Sequence, residues 1–141
     1  VKSSESRGWP SSVLSEIVRA SPNVHVMARL FAQRSADLYA SEITRFELRR
    51  GASLRQDAEH LWARLRRDVL PIVRWLDLTA PISERGGEVS AELRRKGRDA
   101  GTLDPLLAAT ALVHGLVLVT RDLRHFEHVA GLRIENWFPD D

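Results

Sequence analysis

The sequence predicts an α/β fold: a central parallel sheet with helices on both faces. Three observations carry this. Short apolar runs (38–40, 72–78, 116–119 and 132–136) alternate with segments of helical periodicity, and such alternation implies crossover helices between parallel strands. Helix punctuation falls between those runs, at Ser41, Gly51, Gly97, Asp104-Pro105 and Gly115. The chain has 141 residues, 43% hydrophobic and 28% charged, which suits one globular domain with one sizeable core.

Taken in order, residues 1–10 are polar, contain Gly8 and Pro10, and read as an irregular segment. Val13, Leu14, Ile17 and Val18 follow Ser11-Ser12 at helical spacing, and Ser21-Pro22-Asn23 breaks that helix. Val24, Met27, Ala28, Leu30 and Phe31 mark a second helix. After the short buried strand Leu38-Tyr39-Ala40, Ser41 caps a helix carrying Ile43, Phe46 and Leu48, which is expected to stop at Gly51. A further helix is expected over 53–70, ended by Pro71, then a strand over 72–78 and a helix over 81–96 that stops at Gly97. Asp104-Pro105 reads as an N-cap followed by proline at the first helical position. Leu106, Leu107, Thr110, Ala111 and His114 complete that helix's stripe. Leu116-Val117-Leu118-Val119 is the strongest strand signal, followed by a turn or short helix near 123–128 and a last strand over 132–136.

Composition excludes several chemistries. With no Cys there are no disulfides, zinc-thiolate sites or thiol nucleophiles. No apolar run approaches the roughly 18–20 residues of a membrane span. The first ten residues lack the apolar core of a secretory signal, so a cytoplasmic location and no membrane partner are expected. Nucleotide-binding GxGxxG and GxxxxGK[ST] loops and the GxSxG elbow are missing. The net charge of +2, from 21 basic against 19 acidic residues, does not by itself imply a polyanion partner. Lys occurs only at Lys2 and Lys96; the dominance of Arg is the mark of GC-rich coding before it is a sign of phosphate binding. The pairs Arg49-Arg50, Arg66-Arg67 and Arg94-Arg95 read as solvated helix faces, with RNA phosphates as the alternative.

Three acids stand at element junctions. Glu47 is on the helix after the first clear strand, Asp104 opens the helix feeding the best strand, and Asp122 follows that strand's carboxyl end. In parallel sheets the working residues gather at the carboxyl ends of strands. A carboxylate cluster without Cys or organised His suits a hard cation, Mg²⁺ or Mn²⁺, which activates water and clamps phosphoryl oxygens. Singly, each has a plainer reading: Asp104 as a cap, Glu47 as a surface partner of Arg50, Asp122 as a turn residue. The histidines His25, His60, His114, His125 and His128 have no ligand spacing and read as structural or solvated.

Four segments together resemble the PIN-domain ribonucleases of the VapC toxin type, over nearly the whole chain from Ser11 to Phe138. Ser12-Val13-Leu14-Ser15-Glu16 resembles the start of the family's first helix. The segment from Leu38 to Gly51 resembles the one bearing the catalytic Glu, which falls on Glu47. Asp104-Pro105-Leu106-Leu107-Ala108-Ala109-Thr110-Ala111 and Leu118-Val119-Thr120-Arg121-Asp122-Leu123-Arg124-His125-Phe126 resemble the segments with the third and fourth acids, here Asp104 and Asp122. The resemblance implies a PIN-like three-layer sandwich over 11–141, preceded by the irregular segment 1–10. It implies a Mg²⁺-dependent endoribonuclease, the toxin of a type II toxin–antitoxin pair, that cuts RNA with an activated water, dimerises and is held by a cognate antitoxin. Glu47, Asp104 and Asp122 would be catalytic metal ligands, with Ser12 and Thr120 supporting them through hydrogen bonds. One departure matters: the family's first strand ends in an Asp, and here Pro10 stands in its place after a polar stretch. The expectation is weakened activity, or a degenerate protein that binds antitoxin without cutting. A misassigned start or a frameshift upstream would account for both the Val1 start and the missing acid.

Overall fold

The computed structural model describes residues 7–9, 38–120 and 122–137, the first three as backbone. Five strands form one all-parallel sheet: β1 Arg7–Trp9, β2 Leu38–Ser41, β3 Arg74–Leu76, β4 Val117–Val119 and β5 Ile134–Glu135. Their order is β3-β2-β1-β4-β5. The helices are α1 Glu42–Ser53, α2 Ala58–Asp68, α3 Ala80–Arg95, α4 Leu103–His114 and the short α5 Leu123–Phe126. The helices expected within 11–31 lie outside the described residues, as do Pro10 and Ser12.

Alternation along the strands distributes side chains to two cores, since successive residues of a strand face opposite ways. Leu38, Ala40 and Val119 join Leu48, Ala52, Trp62 and Leu65 of α1 and α2 on one face. Tyr39, Leu118 and Ile134 join Val89, Leu93, Leu107 and Ala111 of α3 and α4 on the other. The three layers and the two-faced sheet are the α/β PIN sandwich expected from the sequence. β4 is interior, flanked by β1 and β5, and all three of its residues are buried. Gly115 closes α4 at φ 64°, the left-handed conformation that glycine adopts without strain.

Four boundaries differ from expectation. Residues 1–10 are not uniformly irregular: Arg7–Trp9 is the central strand, with Arg7 paired to both Leu38 and Val117. A central strand is held by backbone hydrogen bonds to neighbours on both sides, so three residues need no apolar pattern of their own. α1 runs through Gly51 to Ser53, because burial of Ala52 outweighs the cost of about 1 kcal/mol for glycine in a helix. α2 begins only at Ala58, after a turn in which Arg55 pairs with Asp57. The strand expected over 72–78 contracts to Arg74–Leu76, since Leu70–Ile72 forms a 3₁₀ turn with Pro71 in its first position or two.

Candidate active site

All strands run the same way, so the carboxyl ends of β2 and β4 open on one edge of the sheet. At the end of β2, Ser41 caps α1: its hydroxyl accepts the Ile43 N–H at 3.0 Å. This fixes the entry angle of α1 and sets Glu47 half-buried in its second turn. At the end of β4, Thr120 is buried, and its N–H donates to the Glu135 carbonyl at 3.0 Å. The Thr120 hydroxyl accepts the N–H of Asp122 at 3.0 Å, which turns the chain out of the sheet. Thr120 thereby fixes the start of the turn that carries Asp122.

Asp104 is not the cap of α4. Thr102 occupies the cap position and Asp104 the second residue of the helix, where the helix N-terminus favours its negative charge. Its carboxylate turns to His125 instead, with Nδ1 2.8 Å from Oδ2. A carboxylate only accepts, so the ring nitrogen donates. His125, read as structural or solvated, is thus tied by its ring to Asp104. The two residues are 21 apart in sequence, and only the turn at Asp122 brings them together: the Asp122 carbonyl accepts the His125 N–H at 3.1 Å and starts α5.

The acids are electrostatically linked. Burial pushes the Glu47 carboxyl above its ordinary range; the negative charge of Asp104 adds to this and Arg50 opposes it. Burial likewise pushes Asp104 up, the His125 hydrogen bond and charge oppose the rise, and Asp122 adds to it. Asp104 is thus coupled to both other acids: its charge raises the pKa of Glu47, and the charge of the exposed Asp122 raises that of Asp104. Oxygen-only carboxylate donors that repel one another fit a hard divalent cation. Among the described residues, no three acidic or histidine side chains already surround one point. Ser12, expected to support the site, lies outside the described residues.

Raised carboxyls have a consequence for stability. Each group binds a proton more readily in the folded chain than in the unfolded one. Its contribution is full below the ordinary carboxylate range and is lost as pH rises through the raised value. In metal-free buffer at about pH 8, Glu47→Gln is therefore expected to need more urea to unfold than the parent chain. That advantage should vanish as the pH falls through the carboxylate range. Equal midpoints at high pH would show that Glu47 and Asp104 do not repel each other.

Comparisons with known proteins agree with this architecture. A family profile described as PIN domain matches residues 11–132. The chain belongs to the PIN-domain family. Its relatives place it with the VapC-type members. A VapC ribonuclease, Y4jK of Sinorhizobium fredii, is 36% identical over 135 residues, covering 92% of this chain and 96% of its own. Plasmid stability protein StbB of Pseudomonas syringae pv. tomato is 37% identical over 133 residues, covering 89% and 94%. Among solved structures, FitAcB from Neisseria gonorrhoeae matches with a TM-score of 0.84 at 29% identity, over 93% of this chain and 97% of that one. DNA-bound VapBC from Salmonella typhimurium matches with a TM-score of 0.82, also at 29% identity, over 94% and 98%. No described helix is long and apolar enough to cross a membrane.

Proposed function

We propose that the chain is a divalent-cation-dependent endoribonuclease, the toxin of a type II toxin–antitoxin pair. The observation that carries this reading is that Glu47 and Asp122 follow the carboxyl ends of β2 and β4 in a PIN sheet and that Asp104 is coupled to both. The names of its relatives, VapC ribonuclease and VapBC complex, support RNA as substrate and an antitoxin as partner. The same family reading gives a cytoplasmic homodimer.

Glu47, Asp104 and Asp122 hold the cation, Mg²⁺ or Mn²⁺. When bound, the cation supplies an activated water and charge for the phosphoryl oxygens. The chain's own residues set the geometry. Ser41 fixes the start of α1 and with it Glu47. Thr120 accepts the Asp122 N–H and so fixes the turn that carries Asp122. His125 holds Oδ2 of Asp104, so Oδ1 would be the oxygen offered to a cation. Outer hydrogen bonds of this kind typically contribute 10–100-fold in metal affinity. His125→Ala is expected to weaken Mn²⁺ binding about tenfold, read by calorimetry. An unchanged affinity would remove His125 from the site.

The second reading is a PIN-fold protein that binds antitoxin without cutting, and the substitution of Pro10 for the expected acid favours it. Incubating purified protein with RNA, with and without Mg²⁺, separates the two. Weak cleavage that needs the metal supports the nuclease. No cleavage at any metal concentration, in a folded protein, supports the degenerate reading.

A further inference from the structure

The groove between α1 and α2 holds about 650 Å³ and is lined by arginines and aromatic rings. Its cations are not equally engaged. Arg45 is committed to a two-pronged contact with Glu42 at 2.6 and 3.1 Å and lies over the Trp75 ring at 4.2 Å. Arg66 is exposed and lies over the Trp62 ring, at 5.8 Å. Arg49 lies over the same ring at 5.0 Å, and its ion pair with Glu59 is long, at 3.4 Å, with Glu59 85% exposed. Such a pair is worth little and yields to a competing anion. One terminal nitrogen of Arg49 is buried and has no hydrogen-bond partner among the described residues. Arg50 is exposed and lies over the Phe46 ring, 5.5 Å from its centre, and its charge lowers the pKa of Glu47.

Trp62 is buried and works as a platform that holds Arg49 and Arg66 in place. Phe46 is 52% exposed although the Arg50 guanidinium lies over one face, so part of the ring remains accessible to a planar ligand. Three guanidinium groups along one groove, with a partly exposed aromatic ring among them, match a single strand of nucleic acid, phosphates on the cations and a base on the ring. An acidic peptide would use the cations but would leave Phe46 without a stacking partner. We propose that this groove is the entry track for single-stranded RNA, with phosphates on Arg49, Arg50 and Arg66 and a base stacked on Phe46. Arg50 stands at its end nearest Glu47 and hands the strand to the acidic edge. The proposal rests on the ribonuclease reading and assigns the substrate path to it.

The test is anisotropy with a labelled single-stranded RNA of about 12 nucleotides in EDTA, with binding followed against salt. Arg50→Gln with Arg66→Gln should flatten the slope of log affinity against log salt by about 1.4, at roughly 0.7 for each phosphate no longer neutralised. Lys at both positions should restore the slope. Phe46→Ala should weaken binding about tenfold with the slope unchanged. Thermal melts confirm that these surface variants fold. Variants that bind like the parent overturn the proposal. So does displacement of RNA by a polyglutamate peptide of equal charge as readily as by unlabelled RNA, which would make the groove a seat for an acidic protein segment. Cleavage, measured separately, keeps the two readings apart. Groove-dependent binding without any cleavage sinks the nuclease and leaves the track standing, and metal-dependent cleavage with groove-independent binding does the reverse.

Discussion

Asp104→Asn is expected to abolish metal-dependent RNA cleavage, a loss on the order of a hundredfold or more. The substitution separates charge from structure. Asp104 sits at the second position of α4 and Thr102 at the cap, so the helix start does not depend on its side chain. The amide oxygen of Asn still accepts the His125 hydrogen bond, so the local geometry survives. What disappears is the negative charge that raises the pKa of Glu47 and whose own pKa is raised by Asp122. The folded chain should be no less stable in metal-free buffer above neutral pH, because a carboxylate kept up by burial and repulsion has been neutralised. Full activity in Asp104→Asn would return Asp104 to a structural role.

Pro10→Asp is expected to raise cleavage on the order of a hundredfold, by completing the set of acids and placing the attacking water. The polar stretch before Pro10 suggests that an apolar strand would have to be rebuilt at the same time. The structure removes that condition, since β1 already forms between β2 and β4 and ends at Trp9, directly before position 10. The single substitution is therefore the informative one. The rate is read from initial cleavage of a labelled RNA at saturating Mg²⁺. A rate equal to the parent's would show that three carboxylates suffice.

The parts of this fold that are legible in the sequence are those whose signal is local. Leu116-Val117-Leu118-Val119 reads as a strand because a strand buried on both faces is apolar throughout. Leu38 to Ser41 reads as strand then cap because Ser41 ends an apolar run ahead of a helical pattern. Arg7–Trp9 does not, because its place in the sheet is decided by the backbones of β2 and β4 rather than by its own side chains. Gly51 misleads as a helix stop because the burial of Ala52 beyond it is a tertiary fact. At the site, spacing and resemblance single out Glu47, Asp104 and Asp122, while Asp104-Pro105 imitates a cap that the helix places at Thr102. His125 is hidden for a different reason. Nothing local distinguishes it from the other histidines until Thr120 and Asp122 turn the chain back to Asp104. The arginine groove is hidden likewise, since Arg49-Arg50 and Arg66-Arg67 look like any solvated pairs until α1 and α2 bring them around Trp62.

The central claim is that Glu47, Asp104 and Asp122 serve one cation. It is tested most directly by Mn²⁺ titration followed by electron paramagnetic resonance, on the parent chain and on Glu47→Gln, Asp104→Asn and Asp122→Asn. The account predicts one bound ion per chain in the parent, displaced by Mg²⁺, and weaker binding of that same ion in each of the three variants. A parent chain that binds no Mn²⁺, or a variant among the three that binds it as the parent does, would contradict it.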